Sequence, residues 1–255
     1  MILLTIDVGN THAVFGLFRG KDLLAHFRLQ SDINRTVDEF ALQILSLLQV
    51  SHCASTDVKR VALSCVVPAL TRVFTKLSQK YFSVEPLIVG PGVKTGMVIA
   101  VDDPRSVGPD RIVNAIAAKA LYGTPAVVVD FGTATTFDVV SKQGSYEGGL
   151  IAPGLLISAQ ALFDRAALLP NIELKRPTAT IGKNTVESML AGIIFGYVGL
   201  VDGIIERLRR EVGSDLKVIA TGGLAQLVAE ESKCIEQVSP DLTLTGLRLI
   251  AEMNA

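Results

Sequence analysis

Short apolar runs separated by turns occupy the beginning of the chain. Ile2 to Ile6, Ala13 to Phe18 and Leu23 to Leu29 each have the length and composition of a β-strand, and Gly9 and Gly20 lie in the turns between them. Glycine is common in such turns because it adopts backbone conformations that other residues avoid. The pattern therefore predicts three consecutive strands joined by short turns.

The spacing becomes helical at Thr36. Thr36 and Glu39 stand as in a capping box, in which each side chain hydrogen-bonds the backbone N–H of the other residue. The apolar residues from Phe40 to Leu48 then recur at helical intervals, which predicts a helix that begins at Thr36. Further along, we expect a strand over Val61 to Val67, a helix from Pro68 to about Tyr81 and a short strand near Leu87.

The opening pattern of strand, turn and strand returns near the middle of the chain. The segment IDVGN, Ile6 to Asn10, corresponds to VDFGT, Val129 to Thr133, and a second apolar run follows each copy. Agreement that includes both flanking strands indicates an internal duplication. The sequence therefore predicts two similar α/β lobes, residues 1–121 and 122–255, whose Asp-Gly turns face one cleft.

Two helices and a glycine-rich segment are predicted in the remaining sequence. Pro109 suits the first position of a helix that ends at Gly123, and YEGGLIAPG, residues 146–154, is typical of an ordered loop. A long helix is expected from Thr185 to about Arg210. Glycines on roughly one side of it would let another helix approach closely, either within the fold or from a second subunit. These glycines are Gly192, Gly196, Gly199 and Gly203.

Composition and charge narrow the class of protein. The chain has 255 residues, 49% of them hydrophobic, and its 24 Lys and Arg residues nearly balance 25 Asp and Glu residues. A protein that follows the phosphates of a nucleic acid normally has a basic excess, so no nucleic-acid partner is expected. Three scattered cysteines, Cys53, Cys65 and Cys234, indicate reduced thiols rather than a disulfide framework or a zinc cluster.

The hydropathy pattern favours a cytoplasmic protein without membrane association. The start, MILLTIDVG, has neither a basic leader nor a long apolar run before Asp7. The most apolar later stretch, Met189 to Val201, is shorter than the roughly 20 residues that a helix needs to span a bilayer. We therefore expect no membrane partner.

The turn after the first strand has the residue types of a phosphate-binding site. Gly9 permits close approach of a ligand to the backbone, so the N–H groups of Asn10, Thr11 and His12 could face an anion such as phosphate. Asp7 would repel phosphate but can hold a hydrated Mg²⁺ ion that the phosphates share. A plain hairpin with Asp and Asn as turn formers is the alternative. The second copy of the turn favours the phosphate site.

The second turn adds hydroxyl groups to the carboxylate. Thr133, Thr135 and Thr136 follow Asp130 closely. Hydroxyls donate to phosphate oxygens, and a carboxylate suits a cation. The alternative is that these threonines reflect only the preference of Thr for strands. Together, the two turns predict a pair of phosphate-binding hairpins across a cleft.

Two further segments supply candidate groups. Gly222 and Gly223 follow the strand KVIA and open a helix, a geometry in which bare backbone can lie against a flat ring such as adenine. Asp110 lies in the first turn of its helix, where the macrodipole favours the ionised carboxylate that accepts the proton of an attacking hydroxyl. Arg111 offers a fork suited to a substrate carboxylate. The alternative is an Asp110 and Arg111 pair that only stabilises the helix.

Short motifs occur in a recognisable order along almost the whole chain. They are DVGNT at Asp7, GPDR at Gly108, DFGTATT at Asp130, EGGLIAPG at Glu147, GKNT at Gly182 and TGG at Thr221. Any one of them is a weak signal, but the complete series is specific. The set resembles type III pantothenate kinase, within the actin-like ATPase and sugar-kinase superfamily.

The resemblance implies a fold and a reaction. The fold would be α/β, with duplicated actin-like, ribonuclease H-like lobes whose mixed sheets are flanked by helices around a central nucleotide cleft. The reaction would be ATP-dependent phosphorylation of pantothenate to 4′-phosphopantothenate, the first step of coenzyme A biosynthesis, by direct in-line transfer. ATP, Mg²⁺ and a monovalent cation, K⁺ or NH₄⁺, would be required, and the protein would be a cytoplasmic homodimer.

The resemblance also implies roles for individual residues. Asp110 would be the proton acceptor, Asp130 would bind the monovalent cation, and Asp7 would hold Mg²⁺ through Mg-ATP. The pantothenate site would comprise Gly108, Pro109, Asp110, Arg111 and Thr185. The ATP site would comprise Asp7, Val8, Gly9, Asn10, Thr11, His12, Ala13, Val14 and Thr133. The turn geometry described above adds Gly222 and Gly223 to the predicted ATP site.

One position departs from the family pattern. An aromatic residue, usually Tyr, commonly precedes the D-x-P before the G-x-D-R motif, whereas Val101 stands here before Asp102. An aromatic contact to pantothenate is then either lost or supplied elsewhere. Two other functions stay open on the sequence: a non-catalytic nucleotide-binding regulatory factor, and a kinase for another small hydroxy acid.

Overall fold

The computed structural model of the protein describes residues 1–166 and 169–255. They form an α/β fold with two five-stranded mixed sheets flanked by helices, as predicted. Strands β1 to β5 are Ile2–Val8, His12–Arg19, Asp22–Gln30, Val58–Cys65 and Leu87–Ile88. Strands β6 to β10 are Ala126–Phe131, Ala134–Val140, Tyr146–Pro153, Lys217–Gly222 and Gln237–Val238. Helices α1 to α7 are Val37–Val50, Pro68–Leu77, Pro109–Tyr122, Leu155–Arg165, Thr185–Val212, Ala225–Ala229 and Leu242–Met253.

The two sheets have the same topology. The first has the strand order β3-β2-β1-β4-β5, and the second, taken from its other edge, has the order β8-β7-β6-β9-β10. In each sheet the central strand, β1 or β6, pairs antiparallel with the strand that follows it and parallel with a strand that comes later in the chain. The internal duplication expected from the repeated turn is therefore present in the fold.

Alternation along β1 decides which of its side chains enter the apolar core. Ile2, Leu4, Ile6 and Val8 are buried in one cluster with apolar residues of α1 and α2. Asp7 lies between two of these residues in sequence, so its side chain points to the opposite face of the sheet. The strand can therefore be apolar on the core side and still end in a carboxylate.

The first helix begins where the capping box predicted. The Thr36 hydroxyl accepts the backbone N–H of Glu39 at 3.3 Å, and the Glu39 carboxylate accepts the backbone N–H of Thr36 at 2.7 Å. These two hydrogen bonds satisfy N–H groups that the first turn of a helix leaves without an intrahelical partner. The start of α1 is thus fixed by local sequence.

The long helix α5 covers one face of the second sheet. Its residues Ile194, Val201 and Ile205 are buried in a cluster with apolar residues of β6, β7 and β9. By length and composition alone α5 could cross a membrane, but 44% of its most apolar 18-residue stretch is buried within the protein. Core helices of soluble proteins pass the same test, so α5 carries no argument for a membrane span.

The glycines of α5 lie on its open side. At Gly192, Gly196 and Gly199, no described atom lies within 4 Å of the β-carbon position, apart from the neighbouring residues and the local backbone of α5 itself. The described part of the chain therefore does not provide the helix that these glycines were expected to admit. The sequence left open whether the approaching helix belongs to the same chain or to a second subunit. Close packing by a helix of the same chain is not observed among the described residues.

Internal contacts divide the chain into two compact units. The first comprises Met1–Met97, Asp102–Ala117 and Leu242–Ala255, and the second comprises Val98–Val101 and Ala118–Asp241. Helix α7 groups with the first unit because it packs against β1, β2 and β4, although the sequence placed its residues in the second lobe. The lobes 1–121 and 122–255 and the cleft between them stay a prediction.

The segment YEGGLIAPG is a strand rather than the expected loop. Tyr146–Pro153 forms β8, which pairs antiparallel with β7 from Ala134 opposite Pro153 to Val140 opposite Tyr146. Glycines disfavour strands by their conformational entropy, but pairing along the whole of β7 overrides that local preference. Gly148, with φ of 105°, takes a backbone conformation that other residues rarely adopt.

Candidate functional site

The turn between β1 and β2 is tight and places Asp7 at its base. The Gly9 N–H donates to the His12 carbonyl at 3.0 Å, and the exposed residues Asn10, Thr11 and His12 form the tip. Burial and the neighbouring Arg28 cation lower the pKa of the His12 imidazole. In the free protein the neutral imidazole is therefore favoured, and its N–H group can donate a hydrogen bond to an anion.

Asp7 has a hydroxyl neighbour that the sequence did not reveal. Asp7 stands opposite Ser64 on β4, and Ser64 is fully buried. In the second unit, Asp130 on β6 stands opposite Thr221 on the parallel strand β9, in the same relation. The duplication therefore repeats a carboxylate and a hydroxyl, and only strand register brings the two together.

The turn between β6 and β7 is a shorter version of the first. The Gly132 N–H donates to the Ala134 carbonyl at 3.1 Å, and Thr133 lies exposed at the tip. Asp130 stands opposite Thr136 on β7, so both side chains lie on one face of the sheet. This pair supplies a carboxylate and a hydroxyl side by side.

Thr135 does not belong to this group, contrary to expectation. It is 0% exposed and its hydroxyl is hydrogen-bonded to the Tyr197 hydroxyl, which also donates to the Pro153 carbonyl at 2.9 Å. Because strand side chains alternate, Thr135 points into the apolar cluster beneath the sheet while Thr136 points to the face of Asp130. A run of adjacent threonines cannot show this division without the strand register.

Thr136 is connected to two buried polar residues that the sequence reasoning missed. Its hydroxyl donates to Asp138 Oδ2 at 3.0 Å, and the Tyr146 hydroxyl donates to Asp138 Oδ1 at 2.8 Å. Asp138 and Tyr146 are both 0% exposed. A carboxylate within the otherwise apolar run FDVV was the available signal, because buried charges are rare unless they are paired or hydrogen-bonded.

Gly222 makes room for the carboxylate of Asp130. A β-carbon on Gly222 would lie 2.6 Å from Asp130 Oδ1 and 2.7 Å from the backbone nitrogen of Phe131. Its φ of 93° is also in the region that favours glycine. This packing explains Gly222 without a nucleotide, so the contact of Gly222 and Gly223 with adenine stays a prediction.

Asp110 begins α3 as predicted, and its carboxylate lies over the preceding glycine. Its Oδ1 atom accepts the backbone N–H of Arg111 at 2.9 Å and occupies the space that a β-carbon on Gly108 would need. Burial raises the pKa of Asp110, and the N–H and positive charge of Arg111 oppose that shift only in part. From the sequence we expected the helix dipole to favour the ionised carboxylate of Asp110. The dipole can be inferred from local sequence, whereas burial, which raises the pKa, depends on the surrounding fold.

Thr185 is the first residue of α5 and is exposed. The preceding residue, Asn184, caps the helix by accepting the N–H of Glu187 at 2.9 Å. A groove of about 460 Å³ lies beside this cap and is lined by Lys175, Arg176, Thr178, Asn184 and Glu187, among others. The structure thus gives Thr185 an accessible position next to polar and basic side chains.

Val101 lies beside β8. The Ala100 N–H donates to the Tyr146 carbonyl at 2.8 Å, and Val101 packs next to Gly148. Ala100 and Val101 therefore belong to one short segment that lies against the edge of the second sheet.

The two carboxylate turns fit hard cations that retain water or phosphate ligands. Among the residues described, no group of three or more His, Cys, Asp and Glu side chains gathers in a way that could hold a metal ion by itself. Single carboxylates with neighbouring hydroxyls, as at Asp7 and Asp130, instead suit Mg²⁺ or K⁺, which prefer oxygen ligands. Such sites are completed by the ligand that binds with the ion.

Comparison with protein families identifies the chain. The family model for type III pantothenate kinase matches residues 3–207. The chain belongs to the type III pantothenate kinase family. A relative in this family from Syntrophus aciditrophicus, named type III pantothenate kinase, is 52% identical over 254 residues, which cover 100% of both chains.

Solved structures support the fold of this type III pantothenate kinase family member. A structure from Campylobacter jejuni, described as a Baf family transcriptional activator, has a TM-score of 0.60 at 21% identity and covers 98% of each chain. The activator of 2-hydroxyisocaproyl-CoA dehydratase from Clostridium difficile, solved with bound ADPNP, has a TM-score of 0.53 at 14% identity, covering 100% of this chain and 96% of its own. At these identities the similarity shows the actin-like fold alone.

Proposed function

We propose that this protein transfers the terminal phosphoryl group of ATP to a hydroxyl of pantothenate, forming 4′-phosphopantothenate in the first step of coenzyme A biosynthesis. The observation that carries the proposal is the full-length match, at 52% identity, to a relative named type III pantothenate kinase. The candidate residues support it, because phosphoryl transfer needs phosphate-binding turns, cation ligands and a group that accepts a proton.

Asp110 is the proposed proton acceptor. Its Oδ1 atom is held by the N–H of Arg111, so the carboxylate has a fixed orientation, and we assign Oδ2 to the substrate hydroxyl. Burial raises the pKa of Asp110 and makes it a stronger base than an exposed carboxylate. In an in-line transfer this group receives the hydroxyl proton as the new bond to phosphorus forms. Gly108, Pro109, Arg111 and Thr185 are the other proposed pantothenate contacts.

The turn after β1 is the proposed phosphate site. Gly9 is bound back to His12, so the tip residues Asn10 and Thr11 are held in a compact, exposed loop. Backbone N–H groups in such a loop bind anions without adding charge. We assign ATP to Asp7 through Val14 in the first unit, and to Thr133, Gly222 and Gly223 in the second.

Cations complete the proposed chemistry. Mg²⁺ bound with ATP would neutralise charge on the phosphoryl oxygens. Asp7 would hold it by a carboxylate, and Asp130 would hold a monovalent cation, K⁺ or NH₄⁺. Both carboxylates are partly exposed at strand ends, so each has access to solvent and to a ligand.

We also propose that the protein is a cytoplasmic homodimer without a nucleic-acid or membrane partner. The open glycine side of α5 and the exposed apolar residues Leu150, Ile151, Leu156 and Ile157 of the same unit support a second copy. The net charge of −1 gives no support for a nucleic-acid partner. Sedimentation should give about twice the 27.1 kDa of one chain, and a monomer at all concentrations would contradict the dimer.

One assay tests the reaction and separates it from the two alternatives. We expect ADP to form only when pantothenate, Mg²⁺ and K⁺ are all present, with the Asp110→Asn variant as the control for contaminating kinases. A panel of other small hydroxy acids tests for a different acceptor, and faster turnover with one of them would replace pantothenate in the proposal. A folded protein that binds ATP and forms no ADP with any acid would instead be a nucleotide-binding regulatory factor.

A further inference from the structure

Thr136 is a neighbour of Asp130, the carboxylate that we assign to the monovalent cation. Asp130 and Thr136 are direct partners across the antiparallel pair β6 and β7. Directly opposed residues of such a pair have β-carbons about 4.5–5.5 Å apart, on the same face of the sheet. A carboxylate oxygen and a hydroxyl oxygen at that spacing can both reach a single ion placed between them.

The hydroxyl proton of Thr136 is already committed. Thr136 Oγ1 donates to Asp138 Oδ2 at 3.0 Å, so its proton points towards Asp138. A hydroxyl has one proton and two lone pairs, so with the proton on Asp138 its lone pairs remain for other neighbours. A hydroxyl proton directed at the carboxylate of Asp130 would instead compete with a cation there.

The orientation of Asp138 is fixed from its other oxygen. The Tyr146 hydroxyl donates to Oδ1 at 2.8 Å, so each carboxylate oxygen has its own donor. Asp138 and Tyr146 are fully buried, which makes reorientation of either side chain costly. An apolar residue at position 138 would fill the same space without the free-energy cost of burying a carboxyl group. Packing alone therefore does not explain Asp138.

We propose that Thr136 is an oxygen ligand of the monovalent cation at Asp130, and that Asp138 and Tyr146 are positioning residues that direct its hydroxyl. Two hydrogen bonds connect the three side chains: the hydroxyls of Tyr146 and Thr136 both donate to the buried carboxylate of Asp138, and so neither proton points towards the ion. The inference rests on the proposed cation site at Asp130. It adds a ligand that the family motif does not assign.

The test measures cation binding directly, without pantothenate. KCl is titrated into the ATP-bound protein against tetramethylammonium chloride at constant ionic strength, and the rise in Tm reports K⁺ binding to the folded state. The K⁺ activation constant of ADP formation is measured separately. Thr136→Val removes the oxygen but keeps the shape, and Thr136→Ser keeps the oxygen.

We expect Thr136→Val to weaken K⁺ binding by about tenfold or more, since loss of even an outer-shell partner of a metal site typically costs about 10–100-fold. The apparent affinity for ATP without K⁺ should stay unchanged. Thr136→Ser should retain the K⁺-dependent rise in Tm. Tyr146→Phe should weaken K⁺ binding by a smaller factor. Its control is Tyr81→Phe, because the Tyr81 hydroxyl also donates to an aspartate, Asp38, at 2.7 Å, in an exposed pair far from this turn in sequence.

Three outcomes would overturn the inference. If Thr136→Val keeps the wild-type K⁺ response, Thr136 is not a ligand. If Tyr146→Phe lowers Tm by the same amount with and without K⁺, as the control Tyr81→Phe should, the buried hydrogen bonds only stabilise the fold. Should Tyr146→Phe not fold, the two Thr136 variants still decide whether Thr136 is a ligand. If wild-type protein shows no K⁺-dependent Tm rise, the cation site itself is wrong, whereas failure of the kinase proposal appears separately as absence of ADP.

Discussion

Asp130 Oδ1 occupies the space beside Gly222 that a side chain would need, so that a β-carbon there would stand 2.6 Å away from it. Real β-carbons do not approach a carboxylate oxygen so closely, so a side chain at residue 222 would have to displace the carboxylate, and it would also press on the Phe131 backbone, whose nitrogen and oxygen lie 2.7 Å away. The position of Asp130 and the identity of residue 222 are therefore linked.

Gly222→Ala should displace the Asp130 carboxylate. We expect a loss of stability larger than the roughly 1–2 kcal/mol that a left-handed backbone costs an L-residue, together with loss of the K⁺-dependent rise in Tm. Gly20→Ala is the matched control, because Gly20 also has positive φ, 62°, with nothing within 4 Å of its β-carbon position. Equal losses in the two variants would show that the Asp130 contact has no consequence.

Asp110→Asn should strongly reduce turnover while leaving nucleotide binding intact. The amide keeps the size of the side chain but cannot take a proton from the substrate hydroxyl. We expect kcat to fall by about 10²-fold or more, the usual scale for an acid-base residue, with the ATP dissociation constant within about twofold of wild type. Steady-state kinetics and calorimetric ATP titration measure the two quantities. Unchanged kcat would remove Asp110 from the mechanism.

The same substitution should change the dependence of stability on pH. Burial raises the pKa of Asp110 in the folded protein above its ordinary value of 3.8. The folded state therefore holds this proton more tightly than the unfolded state, and the group lowers stability as pH rises from 3.8 through the folded pKa. Asn cannot ionise, so the Tm of Asp110→Asn relative to wild type should rise across this range and then level off. A constant difference at all pH values would contradict the raised pKa.

Thr135→Val tests the division between the adjacent threonines. We expect a loss of about 1 kcal/mol of stability, because the hydrogen bond to Tyr197 is removed while Tyr197 still donates to the Pro153 carbonyl. The KM for ATP should stay within about twofold of wild type. The comparison is Thr136→Val, which should lose its response to K⁺. An increase of tenfold or more in the ATP KM of Thr135→Val would restore Thr135 to the site.

Features decided by neighbouring residues could be predicted from the sequence. The capping pair Thr36 and Glu39 fixes the start of α1, and Pro109 fixes the start of α3. Short apolar runs and turn residues were enough to predict the first three strands. In each case the determining interaction spans only a few positions, so local preference and final structure agree.

Features decided by strand pairing could not be predicted. The glycine-rich β8 is a strand because β7 offers it a full set of hydrogen-bonding partners. The neighbours of the site carboxylates, Ser64 and Thr221, are far from them in sequence and become adjacent only through register. The raised pKa of Asp110 likewise comes from burial, which depends on residues that surround it only after folding.

The two turns differ by one residue, and this difference bears on how the halves have diverged. Asp7 faces Val14 across its hairpin, whereas Asp130 faces Thr136, so the second loop is shorter by one position. An alignment of the two halves that respects strand register must therefore place a gap of one residue between the shared glycine and the second strand. A graft of either loop onto the other half would have to add or remove one residue to keep the strands in register.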